Sequence, residues 1–287
     1  MGAIERVGVF GVGVIGGGVA EVCARAGLTV VGVDVDEAAL AAGLGALDRS
    51  LARAVSRRKL GAKEAAAART RIRGTVDRDA LRDVDLVVEA VPEDRALKLE
   101  VHEALGRAVR PEAIFATTTS SLSVTELAAS SERPERFIGL HFFQPVPVMK
   151  LVEVVRGFRT SDETYRTACD LLARIGKQPI GARDRSGFVV HRLLIPFLLE
   201  AVEILETGYA TRDDIDKGMM LGCGHPMGPL KLLDYVGLDY ALEVANALYE
   251  EYNDERFRPP ALVRQMVAAG LLGRKTGRGF YDWPEAR

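Results

Sequence analysis

Cysteine is scarce in this chain: Cys23, Cys169 and Cys223 are odd in number, far apart and without metal-ligand spacing. Neither a disulfide framework nor a thiolate metal site is expected, and the three read as reduced thiols of a cytoplasmic protein. Long apolar runs are missing as well. The most apolar stretch, FVVHRLLIPFLL, is broken by His191, Arg192 and Pro196 and is too short to span a bilayer. The N-terminal MGAIERVGVF carries Glu5 and Arg6 and passes straight into a strand pattern, so it lacks the apolar core of a signal peptide, and Arg6 spoils a myristoylation match. No membrane role is expected. A charge excess is absent too. The formal net charge is -2, and the basic residues read as spread rather than striped apart from one short knot, SRRKL, at 56–60. General nucleic-acid binding is not expected, while room remains for one anionic ligand. The chain shows no internal repeat and no low-complexity linker.

What is present is ordinary globular composition: 287 residues, 48% hydrophobic and 27% charged, enough for two domains. RVGVF, a glycine turn, a small-residue helix from Val14 to about Ala26 and LTVVGVD make a strand, turn, helix, strand unit. An alanine-rich and charged stretch from Glu37 to Arg69 reads as a helix pair. Further strands are expected at TRIRGTV, DLVVEAV, AIFATT and RFIGLHFF, with helices from Asp94 to Val109 and after Ser123, where Ser-Val-Thr-Glu has the form of a capping box. Short buried strands alternating with helices imply an α/β domain with a doubly wound, mostly parallel sheet. A helix from Thr160 to Ile175 and a last strand, QPIGA, complete it. From Gly187 onward only helical periodicity is found. The expected domains are therefore 1–185, α/β, and 186–287, all-α. The first helix of the second is apolar around most of its girth, which fits burial against a partner subunit as well as its own domain.

GVGVIGGG places Gly11, Gly13 and Gly16 in G-x-G-x-x-G spacing after the first strand and at the opening of a helix, and Asp34 ends the second strand about twenty residues on. Gly11 allows the tight turn, Gly13 lets the backbone approach a pyrophosphate, and Gly16 lets the helix pack closely on the strand. The helix start from Val14 and Ile15 offers free N–H groups and partial positive charge to phosphates. Asp34 would accept two ribose hydroxyls and repel a 2′-phosphate, so NAD is favoured over NADP.

LHFFQPVPVMKLVEV, from Leu140 to Val154, sets His141 among apolar residues and adds a carboxylate at Glu153. Together with GVGVIGGGVA, TTTSSLSVTELA, SGFVVHRLLIP, HPMGPLKLLDYVGLD and LLGRKTGRGFYDW, it resembles the 3-hydroxyacyl-CoA dehydrogenase family over essentially the whole chain, in particular its short single-function members. The resemblance implies a Rossmann domain, a helical dimerisation domain and a homodimer. It also implies reversible NAD-dependent oxidation of a 3-hydroxyacyl thioester in the cleft between the domains. Position by position, the family's catalytic histidine falls on His141, its acidic partner on Glu153 and its active-site serine on Ser120. The chemistry asks for such a set: a base to take the hydroxyl proton as hydride leaves, a carboxylate to fix the base's tautomer, and a hydrogen bond to the reacting oxygen. Glu93, Lys98 and Lys275 match cofactor contacts, or are solvated charges. Ser50 and Arg57 match contacts to the CoA nucleotide end, or lie on an exposed helix face.

Three positions depart from the family pattern, each by loss of an asparagine: Thr118, Gln144 and His191. The last is expected in the site, where the family residue orients substrate and histidine. These departures suggest a changed acyl pocket or carrier. One version is a polyketide-pathway relative that oxidises a polar group, such as glyceryl, on an acyl carrier protein, with the basic knot serving either a CoA phosphate or the acidic face of that carrier. Two further functions stay open. A free-hydroxyacid or gulonate dehydrogenase would share the glycine turn and histidine region but would not need the knot. A nucleotide-binding or lens-crystallin-like structural relative would have no physical reason to keep Ser120, His141 and Glu153 together.

Overall fold

The computed structural model describes residues 3–284; the start of the N-terminal segment and the outer ends of both expected domains lie outside the described residues. The chain divides into two compact units between Arg185 and Ser186. In the first, eight strands form one sheet: β1 (Arg6–Phe10), β2 (Thr29–Val33), β3 (Ile72–Thr75), β4 (Leu86–Glu89), β5 (Ile114–Thr117), β6 (Phe137–Phe142), β7 (Leu151–Arg156) and β8 (Gln178–Arg183). Their order is β3-β2-β1-β4-β5-β6-β7-β8. Neighbours are parallel from β3 through β6. The connection from β6 to β7, residues 143–150, is too short for a crossover, so β7 runs antiparallel to β6, and β8 then pairs parallel with β7.

Helices α1 (Val14–Arg25), α2 (Glu37–Ser56), α3 (Ala62–Thr70), α4 (Arg95–Ala108), α5 (Val124–Ser130) and α6 (Asp162–Arg174) flank the sheet. β4, β5 and β6 are buried at every residue, as continuous apolar strands covered on both faces should be. Leu86, Val88, Ile114, Ala116, Ile138 and Leu140 join residues of β1, β2 and α1 in one core. The start of α5 differs from the capping-box expectation. Ser123 does cap it, accepting from Glu126 N at 3.2 Å, but the Glu126 carboxylate pairs with Arg95 instead of reaching back. Asp184, just past β8, accepts from Ser123 Oγ at 3.0 Å, Val124 N at 2.8 Å and Thr125 N at 2.7 Å, taking the free helix-start donors from a distance no local pattern reveals.

The second unit is helical: α7 (Val190–Glu206), α8 (Arg212–Cys223), α9 (Pro229–Val236), α10 (Leu238–Tyr252) and α11 (Ala261–Ala268). Ile195, Leu198, Val202, Leu230, Leu233, Ala241, Leu248 and Val263 form its core. Two buried carboxylates fasten the C-terminal GFYDW segment onto it. Asp234 accepts from Phe280 N and Tyr281 N, each at 2.8 Å, and from Trp283 Nε1 at 2.9 Å. Asp216 accepts from Leu230 N at 2.8 Å and Lys231 N at 3.0 Å, and the Tyr281 hydroxyl donates to it at 2.8 Å. Glycine is required where the segment crosses Asp234, because a Cβ on Gly279 would lie 2.0 Å from its Oδ1. Among the described residues no helix is long and apolar enough to cross a membrane.

Candidate active site

β1 and β4 are adjacent although β2 and β3 lie on the other side of β1, so the sheet changes winding direction there. At such a switch point the loops leaving the carboxyl ends of neighbouring strands diverge and open a crevice. The loops that carry the glycine turn, Glu93, Thr118 with Ser120, and Gln144 leave β1, β4, β5 and β6, which are consecutive neighbours.

After β1, Gly11 turns the chain at φ +90°, and a Cβ there would meet Ala90 O at 2.6 Å. A Cβ on Gly16 would lie 1.9 Å from Gly11 O, so this glycine sets the approach of α1 to the turn. Gly13 is different: a Cβ there would meet nothing within 4 Å. The protein's own packing does not demand glycine at this position, whereas a ligand resting on the backbone would. Gly13 also caps α1 without a side-chain bond, leaving helix-start N–H groups from Val14 and Ile15 onward to bind an anion. Asp34 closes the turn from the end of β2. Its Oδ2 accepts from Val12 N and its Oδ1 from Val35 N, both at 2.8 Å. Each carboxylate oxygen keeps a second lone pair for a ribose hydroxyl. These residues fit a dinucleotide.

After β4 and β5, one carboxylate organises a whole loop. Glu93 Oε1 accepts from Thr119 Oγ1 at 2.5 Å, Ser120 N at 2.8 Å, Ser120 Oγ at 3.3 Å, and Ser121 N and Oγ, each at 3.1 Å. Burial pushes the Glu93 pKa up, but the Lys98 charge and these bonds outweigh it and hold the carboxyl below its usual range. Lys98 is buried, only 1% exposed, with Nζ 2.7 Å from Glu89 Oε1 and 3.5 Å from Glu93 Oε2. It backs Glu93 from inside instead of presenting its ammonium outward.

The histidine of β6 faces the glutamate of β7 because the antiparallel register pairs them directly, His141 with Glu153. Residues opposite each other on one sheet face are in reach, and His141 Nδ1 lies 2.7 Å from Glu153 Oε2. An ionised carboxylate only accepts, so Nδ1 carries the hydrogen and Nε2 the lone pair. Glu153 is fully buried and His141 4% exposed, and the Phe143 ring stands 4.7 Å from the imidazole. Two contacts hold the connecting loop: Lys177 Nζ donates to the Val146 and Met149 carbonyls, and α1 meets Val146 at Gly18, where a Cβ would lie 2.7 Å away.

The other expected residues are placed as follows. Thr118 directly follows β5, with its amide bonded to Glu89 O at 3.1 Å, and Gln144 is exposed ahead of Pro145. Ser50 is half-buried in α2, and Arg57 is the exposed residue that ends it. Arg49, Arg53 and Arg57 succeed one another at four-residue spacing, a stripe where the sequence read as a local knot, and Arg58 and Lys59 extend it. None of these five cations has an ion-pair partner among the described residues. His191 and Lys275 belong to the helical unit, where His191 is buried edge-on to Tyr240 at 5.8 Å and Lys275 pairs with Asp239.

Two family models cover the chain: "3-hydroxyacyl-CoA dehydrogenase, NAD binding domain" over residues 6–185 and "3-hydroxyacyl-CoA dehydrogenase, C-terminal domain" over residues 187–283. The chain belongs to the 3-hydroxyacyl-CoA dehydrogenase family. It is similar to a probable 3-hydroxybutyryl-CoA dehydrogenase of Deinococcus radiodurans, with 44% identity over 97% of this chain and 100% of the relative. The crystal structure of M. tuberculosis FadB2 superposes with a TM-score of 0.96 at 45% identity, covering 98% of this chain and 99% of that one. That of (S)-3-hydroxybutyryl-CoA dehydrogenase from Ralstonia eutropha gives 0.94 at 46%, with the same coverage.

As a member of this family the protein is an NAD-dependent oxidoreductase acting on a CH–OH group, and the glycine turn and Asp34 fit that cofactor. No group of histidine, cysteine and carboxylate side chains among the described residues is arranged to hold a metal ion. Sequence reasoning missed three residues behind the candidate site, all buried: Glu89, which pairs with Lys98, and His102 and Thr117, which bond Glu89. A signal was present, since Glu89 is an acid inside the apolar run DLVVEAV, and His102 follows Lys98 by one helical turn.

Proposed function

We propose that the protein oxidises the 3-hydroxyl of a short 3-hydroxyacyl-CoA, 3-hydroxybutyryl-CoA being the first candidate, with His141 as general base. The observation that carries this is the buried His141–Glu153 pair at 2.7 Å, which gives a base of fixed tautomer. The similar proteins named 3-hydroxybutyryl-CoA dehydrogenases support the substrate.

NAD, when bound, accepts the hydride that leaves C3. His141 Nε2 takes the hydroxyl proton as the C–H electron pair departs and the C=O bond forms, and Glu153 stabilises the resulting imidazolium. Ser120 Oγ hydrogen-bonds the reacting oxygen, held in place by Glu93, while His191 is assigned to orienting the substrate. Gly13 and the start of α1 receive the pyrophosphate, Asp34 the adenosine ribose, and Glu93 the ribose nearer the nicotinamide. Arg57 and Ser50 serve the CoA nucleotide, whose phosphates match unpaired cations.

The length of the cationic stripe, from Arg49 to Lys59, favours one second reading, an acyl group delivered on an acidic carrier protein. Initial rates of NADH formation with 3-hydroxybutyryl-CoA, glyceryl-carrier protein and free 3-hydroxybutyrate separate the cases. The CoA ester is expected to turn over at least about tenfold faster in kcat/KM than either competitor. Brisk turnover of the CoA ester alone removes the carrier version, turnover confined to glyceryl-carrier protein removes the CoA version, and preference for the free acid removes both.

Two copies are part of this reading. Leu193 of α7 and Leu221 of α8 are 71% and 75% exposed, and Met220 beside Leu221 is 41% exposed. Exposed apolar side chains gathered on a helical unit suit a self-contact. Sedimentation equilibrium is expected to give a dimer mass, with Leu193→Glu/Leu221→Glu shifting it to the monomer. A wild-type monomer at micromolar concentration refutes the assignment.

A further inference from the structure

Residues 118–123 connect β5 to α5, and two carboxylates from outside the segment hold it. Glu93 gathers donors of Thr119, Ser120 and Ser121 on the single oxygen Oε1. Asp184 takes the next stretch with both of its oxygens. Oδ2 accepts from Ser123 Oγ at 3.0 Å and Thr125 N at 2.7 Å, and Oδ1 accepts from Val124 N at 2.8 Å.

The two anchors do different things. Donors converging on one oxygen fix a point, and a segment held only there can still turn about it. Donors from three consecutive residues, spread over two oxygens, fix a direction as well. The side chains of α5 offer no substitute for Asp184, because the Glu126 carboxylate is taken by Arg95. Val124 seats the helix start on the sheet: it is fully buried, and a Cβ on Gly139 of β6 would lie 2.8 Å from its Cγ2. The start of α5 is thus set by Asp184 and by the strand that carries His141.

Ser120 lies three residues before Ser123. Its amide is 2.8 Å from Glu93 Oε1 and its Oγ 3.3 Å, so Glu93 holds the backbone more closely than the hydroxyl. Where that hydroxyl donates is then decided by how the segment is turned. We propose that Asp184 is a positioning residue for Ser120: with Glu93 as the pivot, it sets the orientation of the serine segment and so the direction in which Ser120 Oγ donates. This rests on the assignment of Ser120 to the reacting oxygen made above.

The test uses the full chain, initial rates with NAD and 3-hydroxybutyryl-CoA, and Kd for NADH from fluorescence titration. Asp184→Asn keeps the size of the side chain but turns an N–H group toward donors. It is expected to lower kcat about tenfold, as misplacement of a reacting group does, with Kd for NADH within about twofold. Ser120→Ala is expected to lower kcat about a hundredfold, the loss of one hydrogen bond to the reacting oxygen. In the Ser120→Ala background, Asp184→Asn should change kcat by no more than about twofold, because its effect passes through the missing hydroxyl. A merely structural Asp184 lowers kcat by the same factor in both backgrounds, and that result overturns the proposal. A fall below about threefold in the single variant overturns it too. If Asp184→Asn does not fold, Asp184→Glu, which keeps both oxygens but displaces them, is put through the same cycle with the same thresholds. Unchanged kcat in Ser120→Ala removes the role of Ser120 and this proposal with it; a hundredfold loss there with additive Asp184 variants removes only the role of Asp184.

Discussion

Replacing His141 with glutamine is expected to lower kcat for oxidation of the 3-hydroxyacyl substrate about a hundred- to ten-thousandfold, the range for loss of a positioned general base. Glutamine is the informative replacement because Glu153 is fully buried and an amide keeps a donor in the place of the imidazole N–H. The amide can still donate to it, so the fold persists while the proton acceptor is gone. Kd for NADH should stay within about twofold, since the glycine turn and Asp34 are untouched. Adding Glu153→Gln to this variant should lower kcat little more, because in the proposed mechanism Glu153 acts through His141 and groups acting as a unit are not additive. Unchanged NADH formation by the single variant disproves the base assignment.

The largest effect on stability is expected at Asp234. Asp234→Ala removes one acceptor from three donors, the Phe280 and Tyr281 amides and the Trp283 indole N–H. The residue is 1% exposed, so water does not readily replace the carboxylate. Leaving buried donors unpaired costs about 1–3 kcal/mol each, and their shared site brings the sum to about 3–5 kcal/mol. That is a large part of the stability of an ordinary domain. Trp283 is the one tryptophan in the chain, so its fluorescence during urea unfolding reports the event where it happens. A loss below about 1 kcal/mol would show that the C-terminal segment is held by its apolar contacts instead.

How far each feature could be read from the sequence follows from the range of the interaction that makes it. The glycine turn is local: the φ of Gly11 and the close approach at Gly16 are demanded within a few residues, so the spacing alone announces them. The His141–Glu153 pair is nearly local. Its members are twelve residues apart and the short connection between them forces a hairpin, although which residue faces which depends on register. The start of α5 shows the limit. Ser-Val-Thr-Glu predicts a reciprocal cap, but Arg95, outside the motif, takes the glutamate, and Asp184, from the far end of the sheet, takes the helix-start donors. Lys98 shows it again, since a lysine on a charged helix reads as surface until the acid of β4 is seen to meet it.

The sequence by itself determined the α/β-then-helical organisation, the dinucleotide turn with its Asp34, and the histidine–glutamate pair, because periodicity, glycine geometry and short spacing act along the chain. Only the tertiary structure decided that Lys98 is buried, that Glu93 fastens Ser120, and that Arg49, Arg53 and Arg57 form one stripe. Burial and long-range charge pairing depend on which strands and helices become neighbours, and that is set by packing of the whole unit.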